Sequence, residues 1–272
     1  MEVTNNLLQI ASSLGCYIPQ AEKLSINERA QNRLEVLEKN RQKNIEDVLR
    51  VSQNIILQDK LPVNQNQIDR DWFTRVINNA QDVSDTEMKL MWSKVLAGEI
   101  KHPKSYSLRT LDVLKNMTKD DAQMIIDITP YILRDFDNHA FIFNEGKDNS
   151  MVEFSKILYL MELGIIDPNI SLSITESFDK TVEDKSNEAK YWNQNVGIIL
   201  KTNLDRLDFP AFGFTSIGMQ ILTLIDVIKP NIRFYENCLK LYTSSETYYC
   251  GIIKEGTFGR DFEFESILFE NI

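Results

Sequence analysis

Paired acidic residues are the feature of this chain whose spacing comes closest to a chemistry, because nucleases and phosphodiesterases hold divalent metal ions with carboxylates. The pairs are Asp69/Asp71, Asp82/Asp85 and Asp120/Asp121. Asp71, Asp85 and Asp121 each fall where a helix is predicted to begin, and the partial positive charge of a helix N-terminus stabilises a carboxylate without a metal. We therefore expect these residues to cap helices, and we predict no metal site.

Other catalytic and cofactor patterns are missing from the sequence. The cysteines and histidines, which are the residues that could bind zinc, lack the close spacing of a zinc site. The glycines near the C-terminus do not have the spacing of a phosphate-binding loop. A nucleophile would need a GxSxG elbow or a cysteine–histidine couple, and the chain has neither. The cysteines and histidines are Cys16, Cys238, Cys250, His102 and His139. We predict no catalytic residue and no cofactor, which favours a non-enzymatic protein and leaves an enzyme as an open alternative.

The overall charge and hydropathy limit the kinds of partner that the chain is expected to bind. The chain has 272 residues and a net charge of −10. An acidic average disfavours a dedicated duplex-binding protein, because neutralisation of phosphates supplies most non-specific affinity. The best apolar run, 217–228, is shorter than the roughly 20 residues of a membrane helix, and the N-terminus lacks the features of a signal peptide. We expect a cytoplasmic protein with no membrane partner.

The elements that position these residues begin with a predicted N-terminal helical arm over 1–68. Ser25 and Glu28 have the spacing of a capping box, and a long helix is predicted from there to about Leu57. Its apolar residues follow helical spacing at both ends, but 38–44 is wholly polar. We interpret that stretch as solvated; the alternative is a helix that crosses a gap between packed bodies. Coiled-coil self-association stays open, although sustained heptads are missing.

A compact helical bundle is predicted over 69–130. Its four short helices carry start signals, since Ser84 with Glu87 has the spacing of a capping box, as does Thr118 with Asp121. The apolar residues between these signals recur at helical spacing and form a buried stripe. The sequence therefore predicts four capped helices that pack against one another.

Residues 131–272 combine helical and strand-type segments. Their order resembles a winged-helix module, in which two wing strands lead into a closing helix, followed by a terminal hairpin. The segments are the helices 154–166 and 216–228, the polar loop 176–190, the strands 141–144, 196–200 and 212–215, and the hairpin strands 247–254 and 262–269. The predicted fold is mainly α with a smaller α+β part: a helical bundle, then a winged-helix-like module, then a C-terminal β-hairpin.

The candidate partner-binding residues lie in or near the bundle. A local basic cluster follows the second bundle helix, an arginine lies on the third helix, and two tryptophans belong to the type that dominates binding hot spots. For the tryptophans the alternative is core packing, and for the arginine it is an ion pair. These residues are Lys101, His102, Lys104, Arg109, Trp72 and Trp92.

A resemblance to a known family is carried by DWFTRVINNAQDVSDTEMKLMWSKVLAGEIKHPKSYSLRTLDVLKNMTKDDA, residues 71–122. This run resembles the pattern DWxxxFxxxAxxVSxxxMxxLWxxILAGEvxxPgsfSlRTLxxLxxLxxxDA of a bacterial family, domain of unknown function 2806. NIEDVL, LYLMELGIID and FTSIGMQIL also fit, so the resemblance covers most of 40–230. Lys104 stands where the pattern has glycine. The family has no established activity, so the resemblance implies no catalytic residue, and related helical modules occur among abortive-infection and phage-defence proteins.

Three functions follow as hypotheses. The first is a non-enzymatic cytoplasmic interaction or regulatory protein in bacterial anti-phage defence, which binds a protein partner or a second copy of itself. The second is a nucleic-acid-binding regulator built on the winged helix, which the acidic charge disfavours because the candidate helix carries Lys156 against Glu153 and Glu162. The third is a divergent metal-dependent nuclease.

Overall fold

The computed structural model describes residues 2–17, 21–59, 68–145, 151–177, 187–202, 205–226, 228–242, 247–257 and 262–271. The chain divides into two compact units, Met1–Lys115 and Asn116–Ile272. Whether the chain is organised in the three predicted segments 1–68, 69–130 and 131–272 stays a prediction. Among the described residues, no helix has both the length and the apolar character needed to cross a membrane.

The first unit is helical. A short 3-10 helix, Ala21–Lys23, precedes the long second helix. The α-helices are α1 (Glu2–Ser13), α2 (Ile26–Gln58), α3 (Arg70–Ala80), α4 (Thr86–Lys101) and α5 (Leu108–Asn116), the last of which reaches one residue beyond the unit.

Helix α2 begins at the predicted capping box and packs against α4 through small polar residues. The Ser25 hydroxyl accepts from the Glu28 N–H while the Glu28 carboxylate accepts from the Ser25 N–H, so the box is confirmed. Ser52 Oγ lies 2.7 Å from Val48 O and 3.1 Å from Ser93 O, all of them buried between the two helices. Because serine is small and bonds to backbone carbonyls, it allows the two helices to approach closely.

The polar stretch 38–44 is not simply solvated. Asn44 is buried, and its amide donates to Gln81 O at 2.8 Å. The interpretation of this stretch as solvated is therefore wrong for Asn44, because a polar side chain can enter a core where a backbone carbonyl accepts its hydrogen bond.

Two helix starts differ from the prediction by one or two residues. Asp85, not Ser84 with Glu87, caps α4, because its carboxylate accepts from the N–H groups of Glu87 and Met88. Asp69, not Asp71, caps α3. A carboxylate at the N-cap bonds to free N–H groups and also favours the positive end of the helix dipole.

The second unit contains four helices and eight strands in its described part. A 3-10 turn, Thr129–Tyr131, follows the first of these helices. The helices are α6 (Lys119–Ile128), α7 (Phe154–Glu162), α8 (Ser216–Leu222) and α9 (Ile232–Tyr242). The strands are β1 (Leu133–Arg134), β2 (Ala140–Phe143), β3 (Ser173–Ser177), β4 (Asn187–Asn193), β5 (Val196–Thr202), β6 (Arg206–Gly213), β7 (Thr247–Ile253) and β8 (Phe264–Asn271).

All eight strands form one antiparallel sheet in the order β3-β6-β2-β1-β4-β5-β7-β8. The predicted fold class, a mainly helical protein with a winged-helix-like module and a separate hairpin, is therefore wrong. The strands β7 and β8 pair with each other, but β7 also pairs with β5, so they extend the sheet. The winged-helix prediction failed because it left out β1, β3, β4 and the start of β6, which complete the sheet.

The missed strands are polar in sequence, which explains the error. In β4 the buried residues Ala189, Tyr191 and Asn193 alternate with Lys190 and Trp192, so neither face is clearly hydrophobic. Such a segment forms a strand because neighbouring strands supply its backbone hydrogen bonds and the surrounding core packs against its side chains. The described parts of the predicted loop 176–190, residues 176–177 and 187–190, lie in β3 and β4, and its part over 178–186 lies outside the described residues.

The core of the second unit includes a buried polar junction. Tyr235 Oη lies 2.9 Å from Pro130 O and 3.0 Å from Ile132 O, and it accepts from the Asn193 amide at 2.9 Å. Burial raises the pKa of the Tyr235 phenol well above its ordinary value. The junction ties α9 to β4 and to the chain after α6, and a neutral phenol there serves the fold.

Candidate functional site

The loop that follows α4 is held by a buried carboxylate. Glu99 accepts from the Lys104 N–H at 2.6 Å and from the Tyr106 N–H at 3.2 Å. Charge-assisted bonds of this kind are among the stronger ones in proteins. Glu99 therefore fixes the loop 102–107. Sequence reasoning missed it, although an acid in the apolar last turns of α4 was the available signal.

The same loop packs onto α4 and α3 through Tyr106. A Cβ added to Gly98 would lie 2.8 Å from Cε2 of the Tyr106 ring, so the close approach of the ring requires glycine at this position. The indole N–H of Trp72 donates to Tyr106 O at 2.9 Å, and both residues are buried. This hydrogen bond from Trp72 of α3 thus helps to position the loop.

Lys101 is committed to the fold. Its side chain is buried, its ammonium donates to Asp59 O at 3.1 Å, and it forms an ion pair with the Asp59 carboxylate. A buried cation needs such partners, because transfer from water is costly without them. The positive charge of Lys101 is therefore balanced within the first unit.

Solvent reaches His102, Lys104 and Arg109, whereas both tryptophans are buried. Lys104 has φ 74°, in the left-handed region that favours glycine. The structure brings Trp72 to the loop that carries the basic cluster, and it places Trp92 in the core. Partner binding by these residues stays a prediction, and burial leaves the two tryptophans no open surface.

At least one residue of each acidic pair has a partner in the structure. Asp121 forms the predicted capping box with Thr118 at the start of α6, which is thereby confirmed, and it also accepts from Tyr159 Oη at 2.6 Å. Burial raises the pKa of Asp121, but the bonds from Tyr159 and Thr118 outweigh it and hold the pKa below its ordinary value. Within the described ranges no group of three or more His, Cys, Asp or Glu residues could hold a metal ion.

An open cleft of about 570 Å³ lies on α2 of the first unit. Ile10 and Leu14 line it from the side of α1, and Leu37 lines it from α2. The turn between α3 and α4 contributes Gln81 and Asp82. We call this space the α2 cleft, and it was not predicted from the sequence.

Helix α1 is attached to α2 beside this cleft. The Asn40 amide donates to Ser13 O at 3.1 Å. Gly15 has φ 68°, and a Cβ there would lie 2.9 Å from the Cα of Arg33, so glycine is needed for the close approach. These contacts hold the end of α1, while its apolar face remains open.

The charged residues that line the α2 cleft are mainly cations. Arg41 donates to Asp82 at 2.7 Å, and this bond raises the pKa of the Arg41 guanidinium. Lys89 donates to Asp47 at 3.1 Å, and this bond holds the pKa of that carboxyl below its ordinary value. Lys43 lines the cleft and is exposed. Arg41 is also paired with Glu38 at 3.1 Å, so two of the three lining cations, Arg41 and Lys89, are balanced by acids within the first unit.

The protein thus has two units: a helical unit that carries an open cleft, and a unit built on an antiparallel sheet. A family model described as Protein of unknown function (DUF2806) matches residues 28–239. Since this match covers more than half of the chain, the chain belongs to that family. Searches of the curated proteins and of the solved structures found no match. The matched span begins in the first turn of α2, so α1 precedes it.

Proposed function

We propose that this protein is a non-enzymatic interaction protein that binds a protein partner through α1 and the first half of α2. The observation that carries the proposal is the open apolar face of α1. Leu7, Ile10 and Leu14 are spaced as one helix face, and these residues are 65%, 53% and 47% exposed. On α2, Ile26 and Leu34 are similarly exposed at 67% and 51%.

The exposed area has an energetic consequence. Full burial of a leucine or isoleucine side chain stabilises by about 1.5–3 kcal/mol, so each half-exposed side chain leaves roughly half of that unrealised. Single exposed apolar residues are ordinary on protein surfaces, but a contiguous set on one helix is typical of an interaction site. The face of α1 supports a partner for this reason.

The chemistry of the remaining groups supports binding over catalysis. Burial raises the pKa of the Cys250 thiol to about 12, and it raises the pKa of Cys238 still further. A thiol in that state is a poor nucleophile, because the reactive species is the thiolate. Lys101, the first residue of the basic cluster, is already balanced by Asp59, which also weakens the case for nucleic acid.

The setting that we propose for this interaction is bacterial anti-phage defence, in the cytoplasm. This part rests on the family resemblance alone. Capture of the partner from cells with and without phage challenge tests it: the expected result is a partner whose recovery changes on infection, and identical recovery contradicts this setting.

Site-specific photo-crosslinking tests the proposed function. A photoreactive amino acid replaces Leu7 in one version of the full chain and Ile170, a similarly exposed residue of the second unit, in another. In cells that naturally express the protein, we expect Leu7 to yield a defined crosslinked species, either another protein or a second copy, that Ile170 does not yield. Equal labelling from both positions contradicts the proposal.

A further inference from the structure

We infer that Arg134 of β1 binds a carboxylate that is attached to an apolar group, supplied by a small organic acid or by an acidic side chain of a partner. The site lies in the second unit, so this inference goes beyond the proposed function of α1 and does not depend on it. Three observations lead to it: the unbalanced charge of Arg134, the acids of the adjacent turn and the aromatic rings beside the guanidinium.

The positive charge of Arg134 has no acid to balance it in the described part of the chain. Arg134 is half-buried on an interior strand of the sheet. Its Nη1 donates to Asn138 Oδ1 at 3.1 Å and to Asn138 O at 3.4 Å, and its Nε and Nη2 make no hydrogen bond to a described residue. Burial lowers the pKa of this guanidinium, because desolvation disfavours the charged form. An anion that pairs with the free N–H groups therefore relieves an unfavourable state.

Other half-buried cations of the same sheet are already balanced. Lys190 and Lys201 both lie within ion-pair distance of Glu188, at 3.6 and 3.0 Å. Their charges are therefore committed to the fold. Arg134 differs from them because its one described partner, Asn138, is a neutral residue. The two bonds from Asn138 hold the guanidinium in place and leave two of its three nitrogens for a ligand.

The turn between β1 and β2 favours a singly charged ligand. Asp135 follows Arg134 in the chain and is bonded to His139, whose N–H donates to it at 2.8 Å and whose Nδ1 lies 3.0 Å from it. Asp137 is exposed in the same turn. These acids repel a doubly charged phosphate more strongly than a singly charged carboxylate. A carboxylate also matches the planar fork of a guanidinium and accepts two parallel N–H bonds from it.

Aromatic rings supply the apolar part of the site. Trp192 of β4 lies directly opposite Arg134 in the antiparallel ladder, so the two side chains are on the same face of the sheet. The ring centroids of Phe136 and Trp192 are 5.6 Å apart, and both residues are half-buried. Rings next to a cation can bind the apolar body of a ligand while its charged end meets the guanidinium. Benzoate should therefore bind more tightly than acetate.

Nuclear magnetic resonance of the arginine Nε–H groups in the full ¹⁵N-labelled chain tests the inference. The probes are sodium benzoate, sodium acetate and sodium phosphate at equal ionic strength, and the Arg134 signal is assigned by its absence from the spectrum of Arg134→Lys. We expect benzoate to shift this signal and to saturate it at millimolar concentration, as befits so small a ligand. Phosphate should bind at least about tenfold more weakly.

A blocked peptide distinguishes the two sources of the carboxylate. N-acetyl-Phe-Glu-Phe-amide presents a carboxylate as a partner protein does, beside apolar side chains and without terminal charges. Tighter binding of this peptide than of benzoate at Arg134 supports a partner protein as the source, and tighter binding of benzoate supports a small organic acid.

Variants locate the binding through the indole N–H signal of Trp192. Arg134→Gln removes the charge and should abolish the benzoate-induced shift of this signal, while Arg134→Lys keeps the charge without the fork and should weaken binding about fivefold or more. Arg233→Gln is the matched control, since Arg233 is an exposed arginine of α9 in the same unit, and it should leave the binding unchanged. Circular dichroism verifies the fold of each variant.

Three results would overturn the inference. The first is an Arg134 signal that neither benzoate nor the peptide shifts, which the unmodified protein alone decides even if a variant does not fold. The second is equal affinity for benzoate and phosphate, which overturns the carboxylate. The third is equal benzoate binding by Arg134→Gln and Arg233→Gln. Each of these leaves the Leu7 crosslink, and with it the proposed function, unaffected.

Discussion

At the residue scale, the loop after α4 shows how single side chains determine a local shape. Glu99 accepts two backbone N–H groups, Gly98 leaves room for the ring of Tyr106, and Trp72 donates to Tyr106 O. Together these contacts form the loop that carries the exposed residues His102 and Lys104. The part of the family motif 71–122 that surrounds this loop therefore serves the structure.

The left-handed conformation of Lys104 makes a stability prediction. At φ 74° the Cβ of a lysine is strained, and the side chain is exposed. We expect Lys104→Gly to stabilise the protein by up to about 1 kcal/mol, since glycine relieves the strain and its greater entropy in the unfolded state offsets only part of the gain. Lys104→Ala is the control and should give no gain, because alanine keeps the Cβ. Equal urea midpoints for the two variants would contradict this account.

The two tryptophans of the first unit should respond differently to the same change. Trp72 donates a buried hydrogen bond to Tyr106 O, whereas among the described residues no acceptor lies within hydrogen-bond distance of the Trp92 indole N–H. Replacement of either tryptophan by phenylalanine removes a similar side-chain volume. Trp72→Phe also removes a hydrogen bond, whereas Trp92→Phe removes an indole N–H that makes no such bond. We expect Trp72→Phe to cost about 1 kcal/mol more free energy of unfolding. Urea denaturation measures both variants, and a larger cost for Trp92→Phe refutes the comparison.

At the scale of elements, helices are linked by side chains that also cap them. Asp121 caps α6 and accepts from Tyr159 of α7, so one carboxylate fixes the helix start and its neighbour. Ser52 and Ser93, which lie inside helices and are not caps, also link α2 to α4, because each lies close to a carbonyl of the other helix. Such bonds appear in a sequence as ordinary polar residues, so their partners could not be predicted.

The Asp121–Tyr159 bond predicts a pH dependence. The folded pKa of Asp121 lies below its ordinary value, so the carboxylate adds stability above the unfolded pKa of about 4, and this stability is lost as the pH falls through the folded pKa. Tyr159→Phe should lower the free energy of unfolding at neutral pH, because it removes the hydrogen bond to the ionised Asp121 carboxylate. The difference from the unmodified protein should shrink below about pH 4.

Urea unfolding at neutral and acidic pH measures this effect, with Tyr17→Phe, a similarly exposed tyrosine, as the control. A Tyr159→Phe cost that is the same at both pH values would show that the phenol contributes packing rather than a bond to the ionised carboxylate.

At the scale of the whole molecule, the edge of the sheet affects assembly. The outer strand β8 exposes Ile267 and Leu268, which an unprotected edge would offer to another chain. Two register shifts interrupt its pairing with β7, and Glu265 and Glu270 are exposed along it. Bulges and charges of this kind oppose edge-to-edge pairing.

Removal of the edge charges should therefore promote association. We expect the double variant Glu265→Val and Glu270→Val to form larger species in light scattering at concentrations where the unmodified protein does not. Glu255→Val, an exposed change in the turn before β8, is the control and should have no effect. An unchanged particle mass for the double variant would show that the bulges alone protect the edge.

The sequence by itself determined the local features of this protein. Helix positions, the capping boxes at Ser25 and Thr118, and the family follow from residues that act on their own neighbours, where spacing along the chain is sufficient information. The eight-stranded sheet and the α2 cleft were decided by tertiary structure. Polar strands such as β4 and a bonded residue such as Asn44 acquire their roles from partners far away in the chain, and a linear pattern does not contain those partners.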